Sequence, residues 1–115
     1  MGLIVQKYGG TSVADLKRIR NVASRVTKTY DQGHDVVVIL SAMAGVTDRL
    51  LDMASQASAN PDKRELDVLL ATGEQTTAAL LAMVLQEMGY RARSMLGYQA
   101  GVVTDCDFGN ARIME

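Results

Sequence analysis

Apolar residues follow two rhythms along this chain, and the changes between them locate the elements. Leu3 to Val5 is a short apolar run that stops at Lys7-Tyr8-Gly9-Gly10, the pattern of a buried strand entering a loop. Val13, Leu16, Ile19, Val22, Ala23, Val26 and Tyr30 then recur every three or four positions, which predicts one apolar stripe on a helix. Lys17, Arg18, Arg20, Asn21 and Arg25 fall largely on its other faces. Ser12 or Thr11 can cap the start, with Asp15 completing a capping-box variant, and Gly33 can end the helix. Val36-Val37-Val38-Ile39-Leu40 is continuously apolar and mostly β-branched, which predicts a strand covered on both faces. Two such strands joined by a crossover of about 25 residues form a right-handed βαβ unit.

Farther on, a second helix is expected from near Val46 into the Ser and Ala stretch before Asn60. Asn60-Pro61 reads as the cap and first position of a third. Leu66, Leu69 and Leu70 carry its stripe up to Gly73, which interrupts the pattern. Ala78, Leu81, Val84, Leu85 and Met88 resume it until Gly89. Arg91-Ala92-Arg93-Ser94-Met95 alternates and predicts a more exposed strand, with Arg91 and Arg93 on its solvated face. Val102-Val103-Thr104 predicts another, followed by a turn through Asp105, Asp107 and Gly109. Ala111 to Glu115 reads as one more strand beginning, so the chain is expected to stop mid-fold. Strands alternating with helices place the chain in the α/β class with a largely parallel sheet.

Composition narrows the field. At 115 residues one modest core can form, so one domain or part of one is expected. A hydrophobic share of 48% beside 22% charged residues suits a globular chain rather than a disordered one. The net charge of −1, with both signs interspersed, gives neither a nucleic-acid footprint nor an anionic-membrane surface. No apolar run approaches the roughly 20 residues of a membrane span. The opening residues lack the features of a secretory signal, and Gln6 breaks the myristoylation pattern. A lone Cys106 allows no internal disulfide, which fits a reducing cytoplasm, and it reads as a passive thiol. The seven Met residues mostly lie on apolar stripes, where they fill the core.

Three segments carry candidate chemistry. In Lys7-Tyr8-Gly9-Gly10-Thr11-Ser12, two glycines allow close backbone approach, the following helix start offers free N–H groups, and Lys7 adds a positive charge. That is a phosphate site or, equally, a glycine turn beside a solvated lysine; it is neither a Walker A loop nor GxGxxG. Ser41-Ala42-Met43-Ala44-Gly45-Val46-Thr47-Asp48 follows the second strand, so it shares a sheet edge with the first loop. Ser41 and Thr47 can bind a ligand there, or satisfy a turn and cap the next helix. Glu74, after Gly73, can meet a substrate ammonium or sit favourably at a renewed helix start. His34 is expected to be exposed in a polar turn.

Together these segments resemble the aspartate kinase branch of the amino-acid kinase family. The matching stretches are Val5 to Val13, Ser41 to Asp48 with Leu50, Gly73-Glu74, Gly97-Tyr98-Gln99-Ala100-Gly101 and Thr104-Asp105. The resemblance implies a three-layer αβα sandwich, incomplete in this chain, which would be the N-terminal portion of a catalytic domain. It implies transfer of the ATP γ-phosphoryl group to the side-chain carboxylate of aspartate, with Mg²⁺ accompanying ATP, in an oligomeric parent enzyme. By carry-over Lys7, Gly9 and Gly10 contact the ATP phosphates with Tyr8 in the same loop, Lys7 being catalytic. Ser41, Thr47 and Glu74 fall at aspartate-pocket positions. The later basic, glycine-rich segment and the adenine pocket of that family have no counterpart here, so the chain alone is expected to be inactive. The alternatives are a relative acting on acetylglutamate, glutamate, carbamate or UMP, and a non-catalytic binding module.

Overall fold

The computed structural model describes residues 2–97, 99–101, 103–104, 106, 108–109 and 112–114. The element order is β1 (Leu3–Tyr8), a 3-10 turn (Gly10–Val13), α1 (Leu16–Asp31), β2 (Asp35–Leu40), α2 (Val46–Ala57), α3 (Lys63–Glu87), β3 (Val103–Thr104) and β4 (Ile113–Met114). Strands β1 and β2 pair in parallel from Leu3↔Asp35 to Tyr8↔Leu40, so both chains leave the sheet at the same edge. The predicted βαβ order is therefore present, with α1 as the connection. Strands β3 and β4 form a separate antiparallel pair.

The core holds most of the α1 stripe that the spacing predicted, although Leu16 and Tyr30 of that stripe are exposed. Val13, Ile19, Val22, Ala23 and Val26 are buried with Leu81 and Leu85 of α3, and Tyr8, Val36, Val38 and Leu40 pack against them. α1 packs on α3, α3 on α2, and both α1 and α3 reach β2. One face of the β1–β2 sheet is thus covered. On the other, Leu3, Val5, Val37 and Ile39 are 46–65% exposed. The expectation that β2 is covered on both faces fails for this reason: the chain supplies a helical layer to one side only. Two layers of the αβα sandwich are present.

Several boundaries differ from those expected. The N-cap of α1 is Asp15, whose Oδ1 accepts from the Arg18 N–H at 2.8 Å; Thr11 and Ser12 lie in the preceding 3-10 turn. Gly33, at φ 98°, does end α1, its N–H donating to the Tyr30 carbonyl. The cap of α3 is Asp62 rather than Asn60, its carboxylate accepting from the Glu65 N–H at 3.1 Å. α3 then runs unbroken through Gly73 for 25 residues. By length and mean hydropathy (1.5) it meets the crude requirement for a membrane span, contrary to the sequence reading. One side of it packs on α1 and α2, and 22% of its apolar window is buried.

Arg91 to Met95 is irregular chain rather than a strand. Its segment is tied back by the Gln86 side-chain amide, which donates to the Ala92 carbonyl at 2.9 Å. His34 is half-buried rather than exposed, and its Nδ1 is shielded without a hydrogen-bond partner among the described residues. Cys106 is an exposed free thiol. Tyr98, Val102, Asp105, Asp107, Ala111 and Glu115, which figured in the sequence reading, lie outside the described residues.

Candidate phosphate loop and the adjoining pocket

Parallel pairing dictates where the first two motifs meet. β1 and β2 end opposite one another at Tyr8 and Leu40, and the Ser41 N–H donates to the Tyr8 carbonyl at 3.1 Å. The Gly9-Gly10 turn and the 41–45 loop therefore leave the sheet side by side. Gly10 lies against the second loop so closely that a β-carbon there would stand 3.1 Å from the Ala42 carbonyl oxygen and 3.5 Å from the Ala44 nitrogen. Gly9 differs: its φ of −81° suits any residue, and the direction of a side chain there is open for 4 Å. Packing requires the second glycine, whereas what the first leaves is space.

The third motif joins from below. A β-carbon at Gly73 would lie 2.9 Å from the Ala42 Cβ and 3.3 Å from a Val46 methyl. Ala42 is thus wedged between Gly10 and Gly73 and is 5% exposed. Thr77, fully buried one turn on, is satisfied by donating to the Gly73 carbonyl at 3.1 Å. This explains why α3 continues through Gly73: the glycine makes room for the loop instead of ending the helix.

Each candidate side chain can now be placed. Lys7 is exposed on the open face of the sheet, in register with Leu3 and Val5, and forms no ion pair or hydrogen bond among the described residues. Tyr8 points to the opposite face. Its hydroxyl donates to Gln6 Oε1 at 2.9 Å, the Gln6 amide donates to Thr29 Oγ1 at 2.9 Å, and Thr29 donates to the Arg25 carbonyl. That chain pins the end of β1 to α1, so only the Tyr8 backbone faces the turn.

The Gly9 and Gly10 N–H groups make no hydrogen bond among the described residues, while Ser12 N–H closes the turn onto the Gly9 carbonyl at 3.1 Å. The helix-dipole contribution expected from the sequence is missing. Only a four-residue 3-10 turn starts at the second glycine, and the start of α1 is already capped by Asp15. Two free amides and one ammonium remain to meet an anion.

In the second loop, Gly45 at φ 84° is the N-cap of α2 and supplies no side-chain bond. Thr47 and Asp48 are therefore not its caps. The Ser41 and Thr47 hydroxyls have no partner among the described residues. Glu74 sits in the middle of α3, exposed and unpaired among the described residues, so a renewed helix start no longer accounts for it. Its chain neighbour Gly73 touches Val46, the neighbour of Thr47, which brings the two motifs together. Among the described residues Lys7 forms no hydrogen bond or ion pair with Ser41, Thr47 or Glu74; Lys7 and Ser41 share the sheet edge.

Sequence reasoning missed Ala42 and Arg18. Ala42 carries no chemistry, and its place between two glycines is visible only once distant segments meet. Arg18 looked like a solvated helix residue, yet its Nη1 donates to the Thr11 carbonyl at 2.9 Å.

Known proteins resemble this chain in sequence and in fold. Residues 2–114 match the amino acid kinase family. An aspartokinase of Bacillus sp. (strain MGA3) is 60% identical over 99% of this chain, and aspartokinase 2 of Bacillus subtilis (strain 168) is 54% identical over all of it. The chain spans 28% of the length of each. Among solved structures, aspartate kinase from Synechocystis superposes with a TM-score of 0.72 at 53% identity. That match covers 75% of this chain and 15% of that one. E. coli aspartokinase III, solved with aspartate and ADP, gives 0.80 at 21% identity over 97% of this chain and 35% of its own, a likeness of fold. With its two glycine-lined loops at one sheet edge and a match from end to end, the chain belongs to the amino acid kinase family.

Proposed function

We propose that this chain is the N-terminal portion of the catalytic domain of an aspartate kinase. Such an enzyme transfers the γ-phosphoryl group of ATP to the side-chain carboxylate of L-aspartate, giving 4-phospho-L-aspartate, the first step toward lysine, threonine and methionine. The observation that carries the reading is the pair of unengaged amides at Gly9 and Gly10, with Lys7 at the end of the same strand. The aspartokinases at 54–60% identity support aspartate as acceptor over the other acceptors of the family.

Phosphoryl transfer needs positioning and charge neutralisation more than it needs covalent help from the protein. In this reading the Gly9 and Gly10 amides and the Lys7 ammonium hold phosphate oxygens, and the open space at Gly9 admits them. A side-chain carboxylate oxygen of aspartate attacks the γ-phosphorus while the bond to the β-bridging oxygen breaks and ADP leaves. That carboxylate is ionised near neutral pH, so no protein base is required. Glu74 pairs with the substrate α-ammonium, and Ser41 and Thr47 donate to its carboxylates. Mg²⁺ accompanies ATP in this chemistry. Mg²⁺ is commonly held by one or two carboxylates together with the phosphates themselves, and it would supply charge neutralisation there. A cytoplasmic, oligomeric parent completes the proposal.

The test uses the full-length protein. Aspartate-dependent release of ADP is expected, and acetylglutamate, glutamate, carbamate and UMP should not replace aspartate. Lys7→Met should lower turnover by roughly 10²–10³ with the fold intact, the scale for removing one transition-state donor. Unchanged turnover would make the glycine turn merely structural, and activity with another acceptor would reassign the substrate. The 115-residue chain alone should release no ADP.

A further inference from the structure

We infer that Arg18 is a positioning residue for nucleotide, holding the phosphate turn through the Thr11 carbonyl; this rests on the kinase reading above. Two adjacent glycines are the most freely moving backbone a turn can have, so aiming their amides at an anion needs external restraint. Beyond the burial of Val13 in the core, the described contacts supply three. Ser12 N–H closes onto the Gly9 carbonyl, Gly10 lies against the Ala42 carbonyl, and Arg18 Nη1 donates to the Thr11 carbonyl at 2.9 Å. Among the described side chains, Arg18 alone bonds the turn's backbone.

Packing anchors the end of the turn at buried Val13 but leaves the Thr11 side without support from behind. A half-open surface pocket of about 210 Å³ lies between it and α1, lined by Tyr8, Thr11, Ser12, Arg18, Asn21 and Arg25 among others. Without the guanidinium the exposed Thr11 segment is free to relax into that space. The Arg18 backbone is itself fixed, because its own N–H is the one that Asp15 caps at the start of α1. A rigid helix thus reaches across the pocket to the turn, and a charged donor on a carbonyl makes a stronger tether than a neutral one. Thr11 is the residue after Gly10, so its carbonyl orients the backbone that continues from the two free amides.

The experiment compares Arg18→Met, Arg18→Lys and Arg25→Met in the full-length protein. Arg18→Met keeps the stem and removes the donors. Its KM for ATP should rise about tenfold, the loss expected for one charge-assisted hydrogen bond, while KM for aspartate stays within about twofold. Arg18→Lys should recover part of the loss, since an ammonium can also donate to a carbonyl. Arg25→Met borders the same pocket without bonding the turn, and should match the parent. Hydrogen exchange read on the peptide covering residues 9–13 gives a measure independent of turnover, and Arg18→Met should speed it. If the parent transfers no phosphate to aspartate, the kinase reading fails, and the exchange rate and binding of ADP still decide on Arg18. An unchanged ATP KM and unchanged exchange in Arg18→Met would overturn the inference, as would equal rises in both KM values.

Discussion

Gly73 of α3 and Ala42 of the loop after β2 touch so closely that a β-carbon on the glycine would stand 2.9 Å from the alanine Cβ. Real carbon pairs sit about 3.5–4.0 Å apart, so one of the two segments would have to move. Ala42 has little freedom to do so, because its carbonyl already faces Gly10. Two opposing effects can be weighed at this position. Replacing a mid-helix glycine by alanine gains about 1 kcal/mol of helix propensity. Forcing an extra methyl into a packed contact costs about 1–3 kcal/mol. Gly73→Ala is therefore expected to lower stability and, in the full-length enzyme, to raise the KM for aspartate by shifting Glu74 from the 41–47 loop. Thermal melting and steady-state kinetics check it; a raised Tm with unchanged KM would show that the contact constrains nothing.

The two glycines of the turn should behave differently. Gly9→Ala adds a methyl to open space at a φ that alanine accepts, so melting should stay within about 0.5 kcal/mol of the parent. ATP use should nevertheless fall, since the methyl occupies the approach to the amides. Gly10→Ala meets the Ala42 carbonyl at 3.1 Å and should disturb both stability and ATP use. Equal, neutral behaviour of Gly9→Ala in both assays would leave the turn without a ligand.

An alkaline limb in stability should trace to Tyr90. Its hydroxyl donates to both carboxylate oxygens of Asp31, at 2.8 and 3.0 Å, and its ring meets that of Tyr30 edge-on at 5.9 Å. The hydrogen bond to Asp31 is the largest cause holding its pKa above the usual 10.0, followed by burial and repulsion of the phenolate by the carboxylate. A folded-state pKa raised above the unfolded one means stability that is complete below pH 10.0 and lost as pH climbs through the raised value. Comparing melting of the parent with Tyr90→Phe across that range should show a gap that narrows above pH 10.0. Parallel curves would remove Asp31 from the account.

The open face of β1 and β2 should make the 115-residue chain self-associate. Leu3, Val5, Val37 and Ile39 form a continuous apolar surface on two strands, a combination that invites pairing. Sedimentation velocity should show oligomers that Val5→Thr with Val37→Thr diminishes. A single monomeric boundary for the unmodified chain would count against this.

Local chemistry was legible in the sequence, while contacts between distant segments were not. The α1 stripe, the parallel β1–β2 pair and the helix stop at Gly33 follow from spacing and residue type within one window. The cap of α1 moved from Ser12 to Asp15 because a 3-10 turn intervenes, something several capping residues in a row cannot reveal. Gly73 read as a break because glycine disfavours helix; its close contact with Ala42 overrides that preference. Arg91 to Met95 alternates like a strand but pairs with none among the described residues, and pairing is a non-local event. The same limit hid the bond from Arg18 to Thr11, although the motif holding Thr11 was the most informative in the chain.

The most direct measurement is a crystal structure of the full-length protein with aspartate and a non-hydrolysable ATP analogue. The account predicts phosphate oxygens about 2.7–3.2 Å from the Gly9 and Gly10 nitrogens and from Lys7 Nζ, with aspartate between Glu74 and the Thr47 hydroxyl. A triphosphate bound away from those amides, with Lys7 still facing solvent, would contradict it.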